Sequence, residues 1–187
     1  MEQTLILVDN RDRILGYARK DECHTGKGKR HRAFVVALYN SRGLLLLQRR
    51  RHALFSDRWD LTGASHPLRL RSRNETYAQA AARCVKVEYG IRGVSFRKIG
   101  AFNYFTPQGK KCENEHCAVI VGRYDGKVKP NPKVAYGYRW ATLRETLKEI
   151  RKEPESFVMW ARLGARVLKN NRLGKHLLTV NSPAVTA

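Results

Sequence analysis

Acidic residues are scarce in this chain of 187 residues. Its 16 Asp and Glu side chains stand against 37 Lys and Arg, a formal net charge of +21 at pH 7. So large an excess of positive charge attracts anions, which makes a diphosphate, a nucleic acid or an acidic membrane surface a candidate partner. The basic residues are spread along the chain, which favours a generally basic surface over a disordered arm. Adaptation for solubility explains the charge equally well.

Long apolar runs, paired cysteines and a leader pattern are also lacking. No run approaches the roughly 18 residues of a membrane-spanning helix, and residues 1–4 do not begin a signal-peptide pattern. The four cysteines form no Cys-x-x-Cys pair, so neither a zinc ribbon nor a disulfide framework is indicated. We therefore expect a cytoplasmic protein without a membrane span, acting as a monomer or weak dimer.

Apolar residues make up 42% of the chain, which is enough for a folded core, and the length fits a single domain over residues 1–187. Hydrophobic periodicity and turn residues predict the elements. Strands are predicted at 5–8, 14–17, 33–39, 44–47, 99–104, 117–124 and 136–141, and helices at 75–89, 142–151 and 156–170. Residues 20–32 are predicted to be a loop or the start of a strand, and the last dozen residues to be frayed. Mixed strands with helices predict an α+β sandwich.

Two of the predicted helix ends carry explicit signals. Gly90 follows the last periodic residue of the first helix, where glycine commonly stops a helix. Thr142 is followed three residues later by Glu145, the spacing of a capping box. The sequence therefore predicts a helix that ends at Gly90 and another that begins after Thr142.

Three histidines and two glutamates are the candidate metal ligands. His24, His31 and His66 lie beside predicted strands or turns, and Glu113 and Glu115 follow far downstream. Residues two apart in an extended segment point to the same side, so both carboxylates can face one site. Such a ligand set suits Mn²⁺, Mg²⁺ or Zn²⁺. On spacing alone, solvated surface histidines are the commoner explanation.

The helix predicted at 75–89 retains part of the Nudix pattern, a Gly, a Glu and then Arg-Glu-x-x-Glu-Glu-x-Gly. The residues in register are Glu75, Arg83, Glu88 and Gly90. Arg69 occupies the position of the first Gly in the pattern, and Cys84 and Val87 occupy two of its acidic positions. A hydrolysing site needs several carboxylates to hold metals against a diphosphate, and this helix keeps too few. By itself it would be an ordinary surface helix.

Taken together, these segments resemble type 1 isopentenyl-diphosphate isomerases, whose fold is a Nudix variant. The matching segments, in order, are Cys23-His24-Thr25, His31-Arg32-Ala33-Phe34, Leu47-Gln48-Arg49-Arg50, Ser65-His66-Pro67-Leu68, Glu88-Tyr89-Gly90-Ile91, Glu113-Asn114-Glu115-His116-Cys117 and Trp160. Their order and approximate spacing agree from about residue 4 to residue 165. The resemblance implies a Nudix-type α/β/α sandwich with a mixed sheet. Its core is expected at about 31–165, followed by a basic helix or tail at about 166–187.

The resemblance also implies roles for particular residues. One divalent metal, Mn²⁺ or Zn²⁺, would be bound by His24, His31, His66, Glu113 and Glu115. Mg²⁺ would be held by Glu88 and bridge to a prenyl diphosphate substrate. Lys20 and Arg49 would contact the diphosphate and Trp160 would face the isoprenoid, whereas a further substrate-contacting arginine of the family is replaced by Cys84.

The implied reaction belongs to isoprenoid biosynthesis and interconverts isopentenyl and dimethylallyl diphosphate by a 1,3-allylic proton shift. One group protonates the terminal alkene carbon to give a tertiary carbocation, and another removes a proton beside the diphosphate ester. Both groups must be positioned side chains, and the family uses a cysteine and the glutamate matching Glu115, with a tyrosine matching Tyr104 nearby. The face of the Trp160 indole is suited to stabilising the cation.

The cysteine position is occupied by Ala64, whose methyl group cannot carry a proton. Three interpretations follow: a deliberate Cys→Ala substitution that traps substrate, an isomerase with another proton carrier such as Tyr104 or water, or a paralogue that has left the reaction. The second departure, at Cys84, favours the third interpretation, because one deliberate substitution would not explain both.

Two other functions compete with isomerisation. A Nudix-type diphosphate hydrolase would need the carboxylates that Cys84 and Val87 replace. A non-catalytic protein that binds RNA or another anion would use its basic surface, including residues 27–32. Those residues overlap His31, so their charge also suits the lining of a diphosphate site.

Overall fold

The computed structural model describes residues 3–180. The strands are β1 (Thr4–Val8), β2 (Ile14–Arg19), β3 (His31–Tyr39), β4 (Leu45–Arg50), β5 (Trp59–Asp60), β6 (Gly63–Ser65), β7 (Phe96–Gln108), β8 (Lys111–Arg123) and β9 (Ala135–Ala141). The helices are α1 (Lys20–Cys23), α2 (Tyr77–Tyr89), α3 (Leu143–Lys152), α4 (Met159–Asn170) and α5 (Arg172–Leu177), with a 3-10 turn at Pro154–Ser156.

Strand β3 is the centre of a mixed sheet. It pairs in parallel with β8 over its whole length and antiparallel with β1, β4 and β6. Strands β7 and β8 form a long antiparallel hairpin, and β4 pairs with β9. The parallel register places His31 opposite Glu115, and the hairpin register places Tyr104 opposite the same glutamate.

The sheet is covered by helices on both faces. Because side chains alternate along a strand, Phe34 and Val36 face α2, where they pack with Ala80, Ala81 and Val85. Val35 and Ala37 face the other way and pack with the buried residues Phe157, Ala161 and Leu168 on and before α4. The predicted α+β sandwich with a mixed sheet is therefore confirmed.

Both predicted helix-end signals are confirmed. Helix α2 ends at Gly90 in the left-handed conformation at φ 70°, which favours glycine. Thr142 and Glu145 form the expected capping box at the start of α3. Helix α2 begins with a second capping box, formed by Thr76 and Gln79.

Three segments differ from the sequence-based expectations. Helix α1 lies within the segment predicted as a loop, because four residues are too few to show helical periodicity. The β7–β8 hairpin extends well beyond the predicted strands, because polar residues such as Lys98, Gln108 and Glu113 interrupt the apolar pattern there. Helix α5 ends at Leu177, which is buried, so the expected fraying is wrong there. Residues 181–187 of the predicted basic tail lie outside the described residues.

A basic helix can also lie on a membrane surface, with its apolar face in the lipid. The apolar face of α4 instead packs on its own sheet through Ala161, Ala165 and Leu168, which are fully buried. In residues 3–180, none of the helices has both the length and the apolar character needed to cross a bilayer.

Candidate active site

A cavity of about 680 Å³ lies at one end of the β3–β8 pair. Its walls come from α1, the loop after β4, strand β6, helix α2, the β7–β8 hairpin and the start of α4. The lining residues with polar or aromatic chemistry are Arg19, Lys20, Asp21, His24, Phe34, Arg50, His52, Ser65, His66, Glu88, Tyr104, Lys111, Glu113, Glu115 and Trp160. Ala64 lines the cavity as well, so its methyl group faces the space where a substrate would bind.

The five predicted metal ligands come together at this cavity, where four of them line the wall and His31 is fully buried beside them. One ligand atom from each of His24, His31, His66, Glu113 and Glu115 lies within 4.8 Å of all the others. The three imidazole centroids are 4.7, 5.1 and 4.9 Å apart, nearly an equilateral triangle. The Cys112 N–H donates a hydrogen bond of 3.0 Å to the His24 carbonyl, which connects the end of α1 to the start of β8.

Backbone carbonyls fix the tautomers of two of the histidines. The Nδ1–H of His24 donates to the Lys20 carbonyl at 2.7 Å, and that of His31 donates to the Lys29 carbonyl at 2.8 Å. A carbonyl oxygen can only accept a hydrogen bond, so each Nδ1 carries a proton, and in the neutral imidazole each Nε2 keeps a lone pair. Both lone pairs are therefore available to a metal ion, the arrangement typical of metal-binding histidines.

Glu115 is the most tightly held carboxylate of the cluster. One oxygen accepts the Tyr104 hydroxyl at 2.5 Å, and the other lies 3.0 Å from Nε2 of His66. Burial raises the pKa of Glu115, but contacts with His31 and His66 outweigh burial and hold it well below its usual range. Burial is the main reason that the pKa of Tyr104 is well above normal, so its hydroxyl stays protonated.

The remaining ligands have opposite electrostatic tendencies. Burial lowers the pKa of His66 to about 3, which leaves its imidazole neutral at physiological pH. Burial also lowers the pKa of His24, but the Glu113 carboxylate more than compensates and raises it overall. The pKa of Glu113 is itself raised, first by burial and then by the nearby charge of Glu115.

This cluster fits a divalent metal ion. Nε2 of His31 and one carboxylate oxygen of Glu113 are buried and have no hydrogen-bond partner within residues 3–180. That oxygen lies 3.0 Å from Nε2 of His24, without the alignment of a hydrogen bond. Buried polar atoms are normally satisfied, and a cation between imidazole lone pairs and carboxylate oxygens would satisfy these.

Glu88 lies in the wall of the same cavity but outside the cluster of five. One oxygen accepts the Gln48 side-chain amide at 2.7 Å, and the other accepts the Cys84 thiol at 3.3 Å. Burial raises the pKa of Glu88 to about 7, against the effect of these two hydrogen bonds. Gly63 makes room for this carboxylate, because a Cβ at that position would lie 2.8 Å from it.

The positive side chains in the cavity differ in part from those predicted. Lys20 lines the cavity as expected, whereas Arg49 points elsewhere and pairs with Asp57 at 2.8 Å. Its neighbour Arg50 lines the cavity instead. The register between β4 and β9 shifts between Arg49 and Arg50, an irregularity that turns the second arginine inward.

An aromatic wall closes the opposite side. The Trp160 ring centroid is 5.3 Å from Phe55 and 6.1 Å from Tyr104. The indole N–H donates to a carboxylate oxygen of Asp60 at 2.8 Å. Arg50 donates to the same oxygen at 2.9 Å, and its guanidinium carbon lies 4.9 Å from the Trp160 ring centroid.

The residues of the site that were not predicted from the sequence include Arg50 and Asp60. Arg50 is one of three consecutive arginines, and only the strand irregularity distinguishes it. Asp60 directly follows Trp59 in a two-residue strand too short to show alternation. The signal available was an aspartate between two large apolar residues, Trp59 and Leu61, which is typical of a paired buried charge.

Comparison with known proteins agrees with this geometry. The NUDIX domain family matches residues 29–161. A crystal structure of DR0079 from Deinococcus radiodurans superposes with a TM-score of 0.66 at 24% identity, covering 88% of this chain and 99% of that one. A MutT protein from Methanosarcina mazei superposes with a TM-score of 0.58 at 20% identity, covering 79% of this chain and 94% of that one. The fold is therefore that of a Nudix protein.

Curated relatives narrow the class. Isopentenyl-diphosphate Delta-isomerase 2 of Aromatoleum aromaticum is 34% identical over 163 residues, which cover 86% of this chain and 83% of that protein. The isopentenyl-diphosphate Delta-isomerase of Serratia proteamaculans is 30% identical and covers 86% of this chain and 88% of its own. The chain belongs to the isopentenyl-diphosphate Delta-isomerase family, a group of enzymes within the Nudix superfamily.

Proposed function

We propose that this protein interconverts isopentenyl and dimethylallyl diphosphate, more slowly than a family member that has the cysteine. One observation carries the proposal: a single cavity is lined by Lys20, by Trp160 and by four of the five clustered ligands, with His31 fully buried beside those four. These groups match the three needs of the reaction, which are to neutralise a diphosphate, to move protons at carbon and to stabilise a cation.

Two divalent ions fit the proposal. His24, His31, His66, Glu113 and Glu115 would hold Mn²⁺ or Zn²⁺, and Glu88 would hold Mg²⁺ beside the substrate diphosphate. When bound, the ions would supply positive charge that offsets the diphosphate and fixes the position of Glu115. Glu88 retains lone pairs for this role, because each of its oxygens accepts only one hydrogen bond from the described residues.

Within this proposal Glu115 is a proton carrier. Tyr104 donates to one of its oxygens at 2.5 Å and thereby orients the carboxylate. Trp160 then faces the tertiary cation, and Lys20 with Arg50 binds the diphosphate. We infer that Arg50 takes the role first expected of Arg49, because Arg50 lines the cavity while Arg49 pairs with Asp57.

The second proton carrier is the group that this chain lacks. Ala64 lines the cavity, and so does Ser65, whose hydroxyl is a poor acid or base without an activating partner. Tyr104 is bound to Glu115, so it lies on the same side as the first carrier. We therefore assign the second proton transfer to water, which has access through the open cavity.

A hydrolytic function has less support. The two pattern positions that lost their carboxylates have other environments: Cys84 is buried against Glu88, and Val87 is 60% exposed. Helix α2 thus offers the cavity one carboxylate, Glu88, where a hydrolytic site needs several.

The proposal also covers the cellular compartment and the domain organisation of the protein. All four cysteines are buried free thiols, which fits a reducing cytoplasm. We propose that the chain acts as one domain, since a single sheet packs against α2 on one face and against α4 on the other.

Proton NMR in D₂O tests the proposed function directly. The protein would be incubated with isopentenyl diphosphate, Mg²⁺ and Mn²⁺, beside the Ala64→Cys variant. We expect slow formation of deuterated dimethylallyl diphosphate by the unaltered protein, and a rate at least about tenfold higher with cysteine, the low end of what a positioned acid–base group contributes.

The other outcomes separate the alternatives. Turnover by the cysteine variant alone would mean that the site is preserved but lacks one group. No turnover by either protein would reject isomerisation. Release of inorganic phosphate or diphosphate would then indicate a hydrolase, and binding of RNA with a steep salt dependence would indicate an anion-binding paralogue.

A further inference from the structure

Asp60 is a fully buried carboxylate that does not itself line the cavity. It lies behind two residues that do, Arg50 and Trp160. Strand β5 places it there, because Asp60 is opposite Gln48 in β4 and the Trp59 carbonyl accepts the Val158 N–H just before α4. The backbone thus connects Asp60 to both of its partners.

One oxygen of Asp60 accepts both available donors. The Arg50 guanidinium donates to it at 2.9 Å and the Trp160 indole N–H at 2.8 Å. The other oxygen is buried and has no hydrogen-bond partner among the described residues. Three side chains therefore form one unit in which a single carboxylate bonds an arginine and an indole.

The hydrogen bonding favours the ionised form of Asp60. Burial raises the pKa of Asp60 overall, although the charge of Arg50 and the Trp160 N–H act in the opposite direction. A proton on the unpaired oxygen would find no acceptor, and a buried donor without an acceptor is unfavourable. The unit therefore contains one negative and one positive charge and is neutral as a whole.

The neutrality of this unit matters because the Arg50 guanidinium lies against the Trp160 indole. The guanidinium carbon of Arg50 is 4.9 Å from the Trp160 ring centroid, so this cation already draws on the ring electrons. An unopposed arginine there would repel a second cation formed in the cavity. The carboxylate offsets that charge, and its bond to the indole N–H adds negative potential to the ring.

We propose that Asp60 is a positioning residue that makes the Trp160 wall of the cavity able to accept a cation, by orienting the indole and by neutralising Arg50. This inference rests on the proposed function, in which a tertiary carbocation forms beside Trp160. Removing the Asp60 charge leaves the diphosphate side intact, or strengthens it, while weakening the stabilisation of the cation.

The test compares two unreactive ligands with metal-loaded protein by calorimetry. One is 2-(dimethylammonio)ethyl diphosphate, which carries a positive charge where the tertiary cation would form; the other is 3-methylbutyl diphosphate, its uncharged counterpart. In Asp60→Asn we expect the preference for the charged ligand to fall by roughly tenfold or more, since an uncompensated charge then lies a few ångströms from it. The uncharged ligand should bind as tightly as before or more tightly.

A paired substitution provides the matched control. Arg50→Gln combined with Asp60→Asn removes both charges, so we expect the preference for the charged ligand to recover, although both ligands lose diphosphate affinity. If Asp60→Asn does not fold, Asp60→Ser removes the same charge and retains an acceptor for the indole N–H. Near-ultraviolet circular dichroism checks the fold of each variant.

Three results would overturn the inference. Equal weakening of both ligands in Asp60→Asn would show that Asp60 has only a structural role. A paired variant that fails to recover the preference would show that the Arg50 charge is not what Asp60 opposes. Failure of the unaltered protein to bind either diphosphate would reject this inference together with the proposed function.

Discussion

A single proton on each of two imidazoles prepares the candidate metal site. The Nδ1–H groups of His24 and His31 each donate a hydrogen bond to a backbone carbonyl, at 2.7 and 2.8 Å. In the neutral imidazoles, Nε2 of His24 then presents its lone pair 3.0 Å from Glu113, and Nε2 of His31 presents its lone pair 3.5 Å from Glu115. Because the tautomers are fixed by the main chain, the site does not have to rearrange when a metal ion binds.

Substituting one of these ligands is expected to weaken metal binding. His66→Gln removes a neutral imidazole from the cluster, and we expect divalent-metal affinity to fall by at least roughly the tenfold that loss of an outer-shell partner costs. Metal content after dialysis and titration with Mn²⁺ measure the change. His116→Gln is the matched control, because His116 adjoins Glu115 but bonds Asn103 at 3.0 Å, outside the cluster. Equal loss in both variants would argue against the assignment.

His52 contributes a pH-dependent penalty to folding. Burial, followed by the charges of Arg50 and Lys20, lowers its pKa from 6.5 to about 4. Between those values the unfolded chain takes up a proton that the folded protein does not, so stability falls as pH decreases. As the pH is lowered from about 7.5 to about 4.5, we expect the unfolding free energy of His52→Gln to fall less than that of the unaltered protein. Urea titration of the metal-free proteins measures both values. An unchanged decrease would mean that His52 titrates normally.

At the scale of elements, strand register assembles the site. The parallel pairing of β3 with β8 sets His31 opposite Glu115, and the β7–β8 hairpin sets Tyr104 opposite the same residue. Since opposed residues share a face of the sheet, the three side chains meet without any loop contribution. Loops and short elements then supply the rest: His24 follows α1, and His66 follows β6.

The capping box of α3 is a structural feature remote from the cavity. The Thr142 hydroxyl accepts the Glu145 N–H at 3.1 Å, and Glu145 accepts the Thr142 N–H at 2.8 Å. We expect Thr142→Ala to lower the unfolding free energy by about 1 kcal/mol, the usual cost of losing a helix cap. Ser95→Ala, at an exposed position, is the control. Metal binding should be unchanged in both variants. An unfolding free energy of Thr142→Ala equal to that of the unaltered protein would contradict the capping assignment.

The whole molecule carries a charge of +21, and part of it surrounds the cavity. Long-range attraction between exposed charges is screened within a Debye length, which shrinks from about 10 Å at 0.1 M salt to 3 Å at 1 M. We expect KM for the diphosphate substrate to rise several-fold between 0.05 and about 0.5 M NaCl at saturating Mg²⁺, with a smaller change in kcat. If KM does not change with salt concentration, the positive charge does not attract the substrate, and its role is in solubility.

Much of this protein follows from its sequence alone. Strong apolar periodicity determined β3 and α2, and local chemistry determined the ends at Gly90 and Thr142, because these signals act over a few neighbouring residues. The five candidate metal ligands were also identifiable, since their types and order match a known family. The choice of Arg50 over Arg49, the burial of Asp60 and the carbonyl bonds that fix the histidine tautomers were decided only by the tertiary structure. Each depends on a strand irregularity or on contacts between distant segments, and the spacing of residues along the chain carries no information about either.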